Sequence, residues 1–348
     1  VAAGTYVENV AVGAFGNWSP LAVTLLGGFS PDFSQRDASA YPSVIDGGGA
    51  DPGVQLHLDT DAIVTLDGFE ITNGRGLGVD WQDGDGRGGG VYVDQIGSGI
   101  VVIAHNVIHG NATNGFGDGQ RGGGIYAAAE GWNGGTGSVL IAHNVIADND
   151  AGRGAALDVE GHAATIANNL VENNRGHSDH GGGVYLSAEH NTVTDNIVRG
   201  NVIGTDVGYG WGGGLLVAAA SATFEGNVVS DNYAPSLGSG VFWDEGATGT
   251  MTDDLLVANR CPTDDRSGAA MYIDGGVAPS RVVADHLTVV GHACPDLPDG
   301  AAILLEGDST IDVTNSVLRD NGIDFRTSGG AERYTLDAAT ITSNDPER

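Results

Sequence analysis

The stretch "IAHNVIHGNATNGFGDGQRGGGIY", residues 103 to 126, decides the fold. Asn106 and Asn111 stand five apart around a Val-Ile pair, a polar run follows, and three glycines lead into Ile125 and Tyr126. The phrase "NVIHGN" at 106 to 111 returns as "NVIADN" at 144, "NLVENN" at 169, "NIVRGN" at 196 and "NVVSDN" at 227, with spacings of 38, 25, 27 and 31 residues. Looser copies are "GFEITN" at 68, "DLLVAN" at 254, "LTVVGH" at 287 and "SVLRDN" at 316. Each copy precedes a glycine-led apolar run such as "GGGIYA" at 122, "GGGVYL" at 181 or "GAAMYI" at 268. A fixed core with loops of variable length is the signature of a solenoid repeat.

Each unit holds two or three short β-rich runs separated by turns, and no helical period. The expected fold is all-β: a parallel β-helix of about nine to eleven coils, stacked at the roughly 4.8 Å spacing of neighbouring strands. Equivalent residues then sit above one another, and the repeated asparagines become two ladders. An inward Asn can donate to and accept from its copies on the coils above and below. Glycine supplies the corners that need positive φ or close backbone approach.

Composition agrees. The 59 glycines among 348 residues have no Gly-X-Y period and accompany 41% hydrophobic residues, which excludes collagen and argues against disorder. No segment approaches the roughly 20 apolar residues of a membrane-spanning helix, so no direct membrane insertion is expected. The formal charge is −31, and all fourteen basic residues are Arg. Such a surface repels nucleic acid and anionic membranes and suits Ca²⁺, high salt or a neutral or cationic partner. Schiff-base and lysine general-base chemistry is excluded. The chain opens on "VAAGTYVENVAV" and stops at "TSNDPER", so 1–348 reads as a single β-helix domain that is a fragment of a longer chain.

"LLGGFSPDFSQRDASAYPSVIDGGG" at 25 to 49, "VTLDGFEITNG" at 64 to 74 and the repeated "GGGIY" and "VIxxN" phrases resemble bacterial secreted right-handed parallel β-helix repeat proteins. They are also similar to the passenger regions of polymorphic outer-membrane proteins and to the pectin-lyase-like superfamily. The resemblance covers roughly residues 25 to 325. It implies a right-handed helix, but that fold hosts adhesins, lyases, hydrolases and epimerases alike. Here no lysine is present, and the polygalacturonase-like set of motifs is missing.

Cys261 and Cys294 follow the second ladder position by two residues in successive copies, and each is followed by Pro. Register puts them on adjacent coils, about 5 Å apart and within disulfide range; the alternative is two buried thiols. A disulfide would place the chain in an oxidising space outside the cytosol, at the cell surface or beyond.

Functional groups on a solenoid belong on its variable loops. Between the second ladder Asn and the glycines, long segments at 74–87, 112–121 and 202–211 flank the short "DAGR" at 150–153 and "RGHSDH" at 175–180. This predicts a notch floored by Arg153. His177, Asp179 and His180 are the further catalytic candidates there, and Asp118, Arg121, Asp206, Tyr209, Trp211 and Trp81 the ligand-binding ones. Such groups bind sugars or run acid-base chemistry on them; solvated turns explain them equally. "DGDG" at 83 to 86 offers Asp83 and Asp85 to Ca²⁺. Glu160, His162, Glu189 and His190 could stack as a metal-like cluster. His105 and His143 should stack as a structural feature of the repeat.

Two readings follow. One is an extracellular or cell-surface module with an adhesive, carbohydrate-binding or architectural role. The other is a polysaccharide lyase, epimerase or hydrolase working in the notch. The partners expected are carbohydrate or a surface protein, and exposed coil edges would allow end-to-end self-association.

Overall fold

The computed structural model describes residues 1–14, 22–58, 61–78, 86–94, 97–115, 117–129, 135–178, 180–204, 208–218, 220–262, 268–294, 296–297, 300–329 and 331–341. The coil that carries Asn106 runs through Val91–Asp94, Ile100–Ala104 and Val107–His109. The next repeats it as Ile125–Ala129, Ser138–Ala142 and Val145–Ala147. Val91 pairs with Ile125, Val101 with Val139 and Ile108 with Ile146, all in parallel. Stacked triplets of this kind make three faces. The third face holds twelve strands, from Gly4–Val7 to Thr340–Ile341, hence eleven coil-to-coil steps, the upper end of the expectation.

Alternation fills the interior. On the second face Ile103, Ile141, Ile166, Val193, Phe224 and Met251 lie one above another, all buried. On the third face Ile71, Ile108, Ile146, Val171, Val198 and Val229 form the facing file. Each such side chain contributes on the order of 2 kcal/mol by leaving water.

The two corners flanking the third face carry the asparagine ladders. In the first, Asn144 Oδ1 accepts from the Asn106 backbone N–H at 2.9 Å and from Asn106 Nδ2 at 3.1 Å. Asn144 Nδ2 in turn donates to Ile103 O at 2.8 Å and to Asn169 Oδ1 at 3.0 Å. The pattern continues through Asn196 and Asn227. In the second ladder Asn111, Asn149, Asn174, Asn201, Asn232 and Asn259 repeat it. The residue before a ladder position takes the left-handed conformation, as at His105, His143, Asn168, Asn173, Asp195 and Asp231. Asn, Asp and His bear that conformation better than most side chains. The three-glycine runs answer to the same ladders: a Cβ at Gly90 would lie 2.6 Å from Gly124 O and 2.9 Å from Asn111 Nδ2.

Cys261 and Cys294 are joined, with Cα atoms 5.6 Å apart on adjacent coils. His105 and His143 stack at 5.1 Å with a 2° angle between their rings.

Both ladders change chemistry in the coils near the disulfide. Asp254 replaces Asn, accepting from the Asn227 N–H and Nδ2 at 2.8 Å each through Oδ1, while Oδ2 is buried with no side-chain hydrogen-bond partner among the described residues. The next position is Leu287, which ends the ladder. Burial pushes the Asp254 carboxyl up to about 6. The folded state therefore holds its proton more tightly than the unfolded chain, and that stabilisation is lost as pH rises from about 4 through about 6. Asp254→Asn should raise the thermal midpoint of this region at pH 7, by up to about 3 kcal/mol of stability, and give no gain at pH 4. Scanning calorimetry at the two pH values checks this.

In the second ladder His292 accepts from Asn259 Nδ2 at 3.2 Å through Nε2 and faces Asn321 Oδ1 at 3.3 Å through Nδ1. Those roles require the neutral Nδ1–H tautomer. Burial lowers its pKa to about 4, so here stability is present above about pH 6.5 and lost as pH falls toward 4. His292→Asn should remove that acid sensitivity, read by amide hydrogen exchange in Thr288–Val290 and Val317–Arg319.

Candidate functional site

The first face is unusual because its outward side chains are also buried. Register aligns Tyr92, Tyr126, Asp158, Tyr185, Leu216, Phe242, Tyr272 and Leu304 in one outward file, beneath the connections that precede the glycines. Tyr92 stacks on Tyr126 at 5.6 Å, and Phe242 on Tyr272 at 5.3 Å. The covering edge is itself in register: Arg87 beside Arg121, Arg121 beside Arg153, and His180 beside Trp211 and then Leu237.

This arrangement corrects the expected notch. Arg153 does not form an open floor. Its side chain is 11% exposed and grips the fully buried Asp158, Nε donating to Oδ2 at 2.8 Å, with the guanidinium 3.8 Å from the centre of the Tyr185 ring. Burial pushes the Asp158 carboxyl up while Arg153 pulls it down. Arg153 is thus the counter-charge for an acid inserted in an aromatic file. His177 also turns inward, with Nε2 2.8 Å from Asp150 Oδ2.

Glu160 leaves its expected metal cluster. It accepts from Arg121 Nη1 at 3.0 Å and from the Tyr126 hydroxyl, on which Arg87 Nη1 also bears at 3.2 Å. His162 and Glu189 do meet, at 2.9 Å, and His190 stands edge-on to His162 at 5.5 Å. Among the described residues no group of three or more His, Cys, Asp or Glu is arranged to hold a metal ion. Asp83 and Asp85, the Ca²⁺ candidates, lie outside the described residues, as do Trp81, Asp179 and Asp206.

The other candidates converge further along the same edge. His180 sits 3.8 Å from Asp118 and edge-on to Trp211, ring centres 4.9 Å apart, while Trp211 stacks on Phe242 at 6.0 Å. There a cleft of about 420 Å³ is lined by Tyr209, Trp211, Ser236, Leu237, Glu245, Asp274, Gly276 and Glu306. Tyr209 is 53% exposed. Asp274 Oδ1 and Glu245 Oε1 each lie 3.2 Å from where a Cβ at Gly276 would be, and so within about 6.4 Å of one another. Burial, with the neighbouring Asp274 and Asp244 charges, pushes the Glu245 carboxyl up, and burial does the same at Asp244. Glu306 accepts from the Tyr272 hydroxyl.

The sequence pointed to Tyr209 and Trp211 and missed the acids opposite them. Their signal was positional: Asp274 and Glu306 follow the last inward residues of their first-face strands, Ile273 and Leu305, which are in register with Trp243, and Glu245 lies two residues past Trp243. A second cleft, of about 430 Å³ and more apolar, lies toward the N-terminal coils between Val12, Gln55, His57, Leu77, Tyr92 and Asp94.

This geometry accords with a match to a family model. Residues 52–280 match the right handed beta helix region, and the chain belongs to that family. No curated protein and no solved structure matches the chain.

Breaking the buried pair tests the reassignment of Arg153. Arg153→Ala should cost about 3–5 kcal/mol by leaving Asp158 unpaired, and Arg153→Met with Asp158→Leu should recover most of it. Unfolding in urea checks both.

Proposed function

We propose that this β-helix is an extracellular or cell-surface module that binds carbohydrate in the cleft of Tyr209, Trp211, Glu245, Asp274 and Glu306. The observation that carries this reading is an aromatic wall facing carboxylates across an open cleft on a rigid stack. Apolar sugar faces stack on aromatic rings, and carboxylates accept from several sugar hydroxyls at once. The Cys261–Cys294 bridge supports residence in an oxidising compartment. The resemblance to bacterial secreted repeat proteins supports the same location.

A catalytic reading rests on one feature, the carboxyl oxygens of Glu245 and Asp274 lying within about 6.4 Å of one another, since glycoside hydrolysis uses a pair of neighbouring carboxyls. Binding is the stronger reading because it needs only the groups already in place.

Isothermal titration against neutral and charged oligosaccharides, paired with reducing-end release, distinguishes the two. Trp211→Ala should weaken binding at least tenfold at a temperature where the variant is still folded, with some loss of thermal midpoint because Trp211 also covers Phe242. Binding without turnover is expected; release of reducing ends lost in Glu245→Gln would establish the enzyme instead. No saccharide binding would end both readings.

A further inference from the structure

We infer that the cleft selects a cationic glycan, an oligosaccharide bearing free protonated amines, in preference to neutral or uronic sugars. This rests on the carbohydrate reading above and adds the charge of the ligand.

The first ground is the composition of the wall opposite Trp211. Glu245, Asp274 and Glu306 all line the cleft, and among the described residues that line it there is no Arg. Elsewhere along the same face the acids receive cationic partners: Asp158 has Arg153 and Glu160 has Arg121. Glu245 and Asp274 are given no such partner among the described residues. Among the described residues Asp274 accepts the Gly276 N–H, at 2.8 Å. Two carboxylates within about 6.4 Å, both facing an open cleft, leave a place where one ammonium can bond to both.

Space is the second ground. Any side chain at Gly276 would press against both Asp274 Oδ1 and Glu245 Oε1 at 3.2 Å. Glycine there leaves the two oxygens accessible.

The third ground is independent of charge. Ser236 lines the same cleft while only 6% exposed, and its Oγ accepts the Gly210 N–H at 3.4 Å. Its own hydroxyl proton has no acceptor among the described residues. That hydroxyl can donate to a ligand oxygen in the cleft. Together the wall offers a stacking ring, one hydroxyl donor and a paired anionic acceptor, which match the ring face, a hydroxyl oxygen and the amine of a glucosamine unit. A uronate would instead meet carboxylates on a protein of net charge −31.

The probes are glucosamine tetramer, its fully N-acetylated counterpart and a galacturonate tetramer, titrated at about pH 6 in low and high salt. The glucosamine tetramer should bind at least tenfold more tightly than the N-acetylated one, and the gap should narrow with salt. Glu245→Gln with Asp274→Asn should abolish the preference while retaining weak, Trp211-dependent binding of the N-acetylated tetramer. Gly276→Val should weaken binding of the glucosamine tetramer without lowering the thermal midpoint. Equal or tighter binding of the N-acetylated or galacturonate tetramer overturns the inference yet leaves the carbohydrate reading standing. Failure of all three to bind overturns both.

Discussion

Each coil must turn two sharp corners beside the third face, and at each corner backbone N–H groups leave the sheet ladder and enter the interior. The Asn side chain resolves this because it carries an acceptor and two donors on one short arm. Asn144 alone satisfies a backbone N–H below it, an amide beside it and a carbonyl behind it. The left-handed residue that precedes it, the spacing of five between ladders and the bare glycines beside them are consequences of that requirement. Loops of any length can be inserted between units as long as the corners keep their hydrogen bonds. That freedom is why the repeat spacing ranges so widely while the strand register does not.

The outward file on the first face adds a second layer that most of the solenoid lacks. An aromatic column outside the sheet needs a cover, and the edge residues Arg87, Arg121, Arg153, His180 and Trp211 supply it, by stacking and by neutralising the inserted acids. Where the cover is arginine the face is closed; where it passes to tryptophan and leucine, the cleft opens. The candidate site is therefore the place where the covering chemistry changes, and the rigid stack beneath fixes its walls.

The fold was legible in the sequence because it depends on residues that recur: "NVIxxN" and "GGGIY" name the corners, and Cys261 and Cys294 follow from register. The site was half legible. Tyr209 and Trp211 stood out as aromatics in a variable loop, whereas Glu245, Asp274 and Glu306 sit at or just past strand ends and look like ordinary turn acids until register brings them together. Arg153 was misread because its partner Asp158 lies in "GAALDV", where an apolar strand leaves no hint that the acid points outward beneath a lid. Glu160 was misread for the same reason: it precedes a corner at Gly161, and its carboxylate belongs to the edge of the first face.

The side-chain hydrogen bonds from one ladder Asn to the next all run one way, although each Nδ2 also donates back to a carbonyl of the preceding coil. In every step the donors sit on the earlier coil and the accepting Oδ1 on the later one, from Asn106 to Asn227 and from Asn111 to Asn259. Aligned amides add their dipoles, as peptide units do in a helix, so each ladder is an electrically polar column whose positive end faces the C-terminal coils. Each column finishes on a carboxylate: Asp254 receives the first, and Asp324 receives the second through His292 and Asn321, at 2.8 Å. The solenoid thus has an electrical direction as well as a chain direction. Reversing it or splicing in coils that end on a donor would set like poles against each other, which gives these β-helices a polarity of assembly that shape alone does not impose.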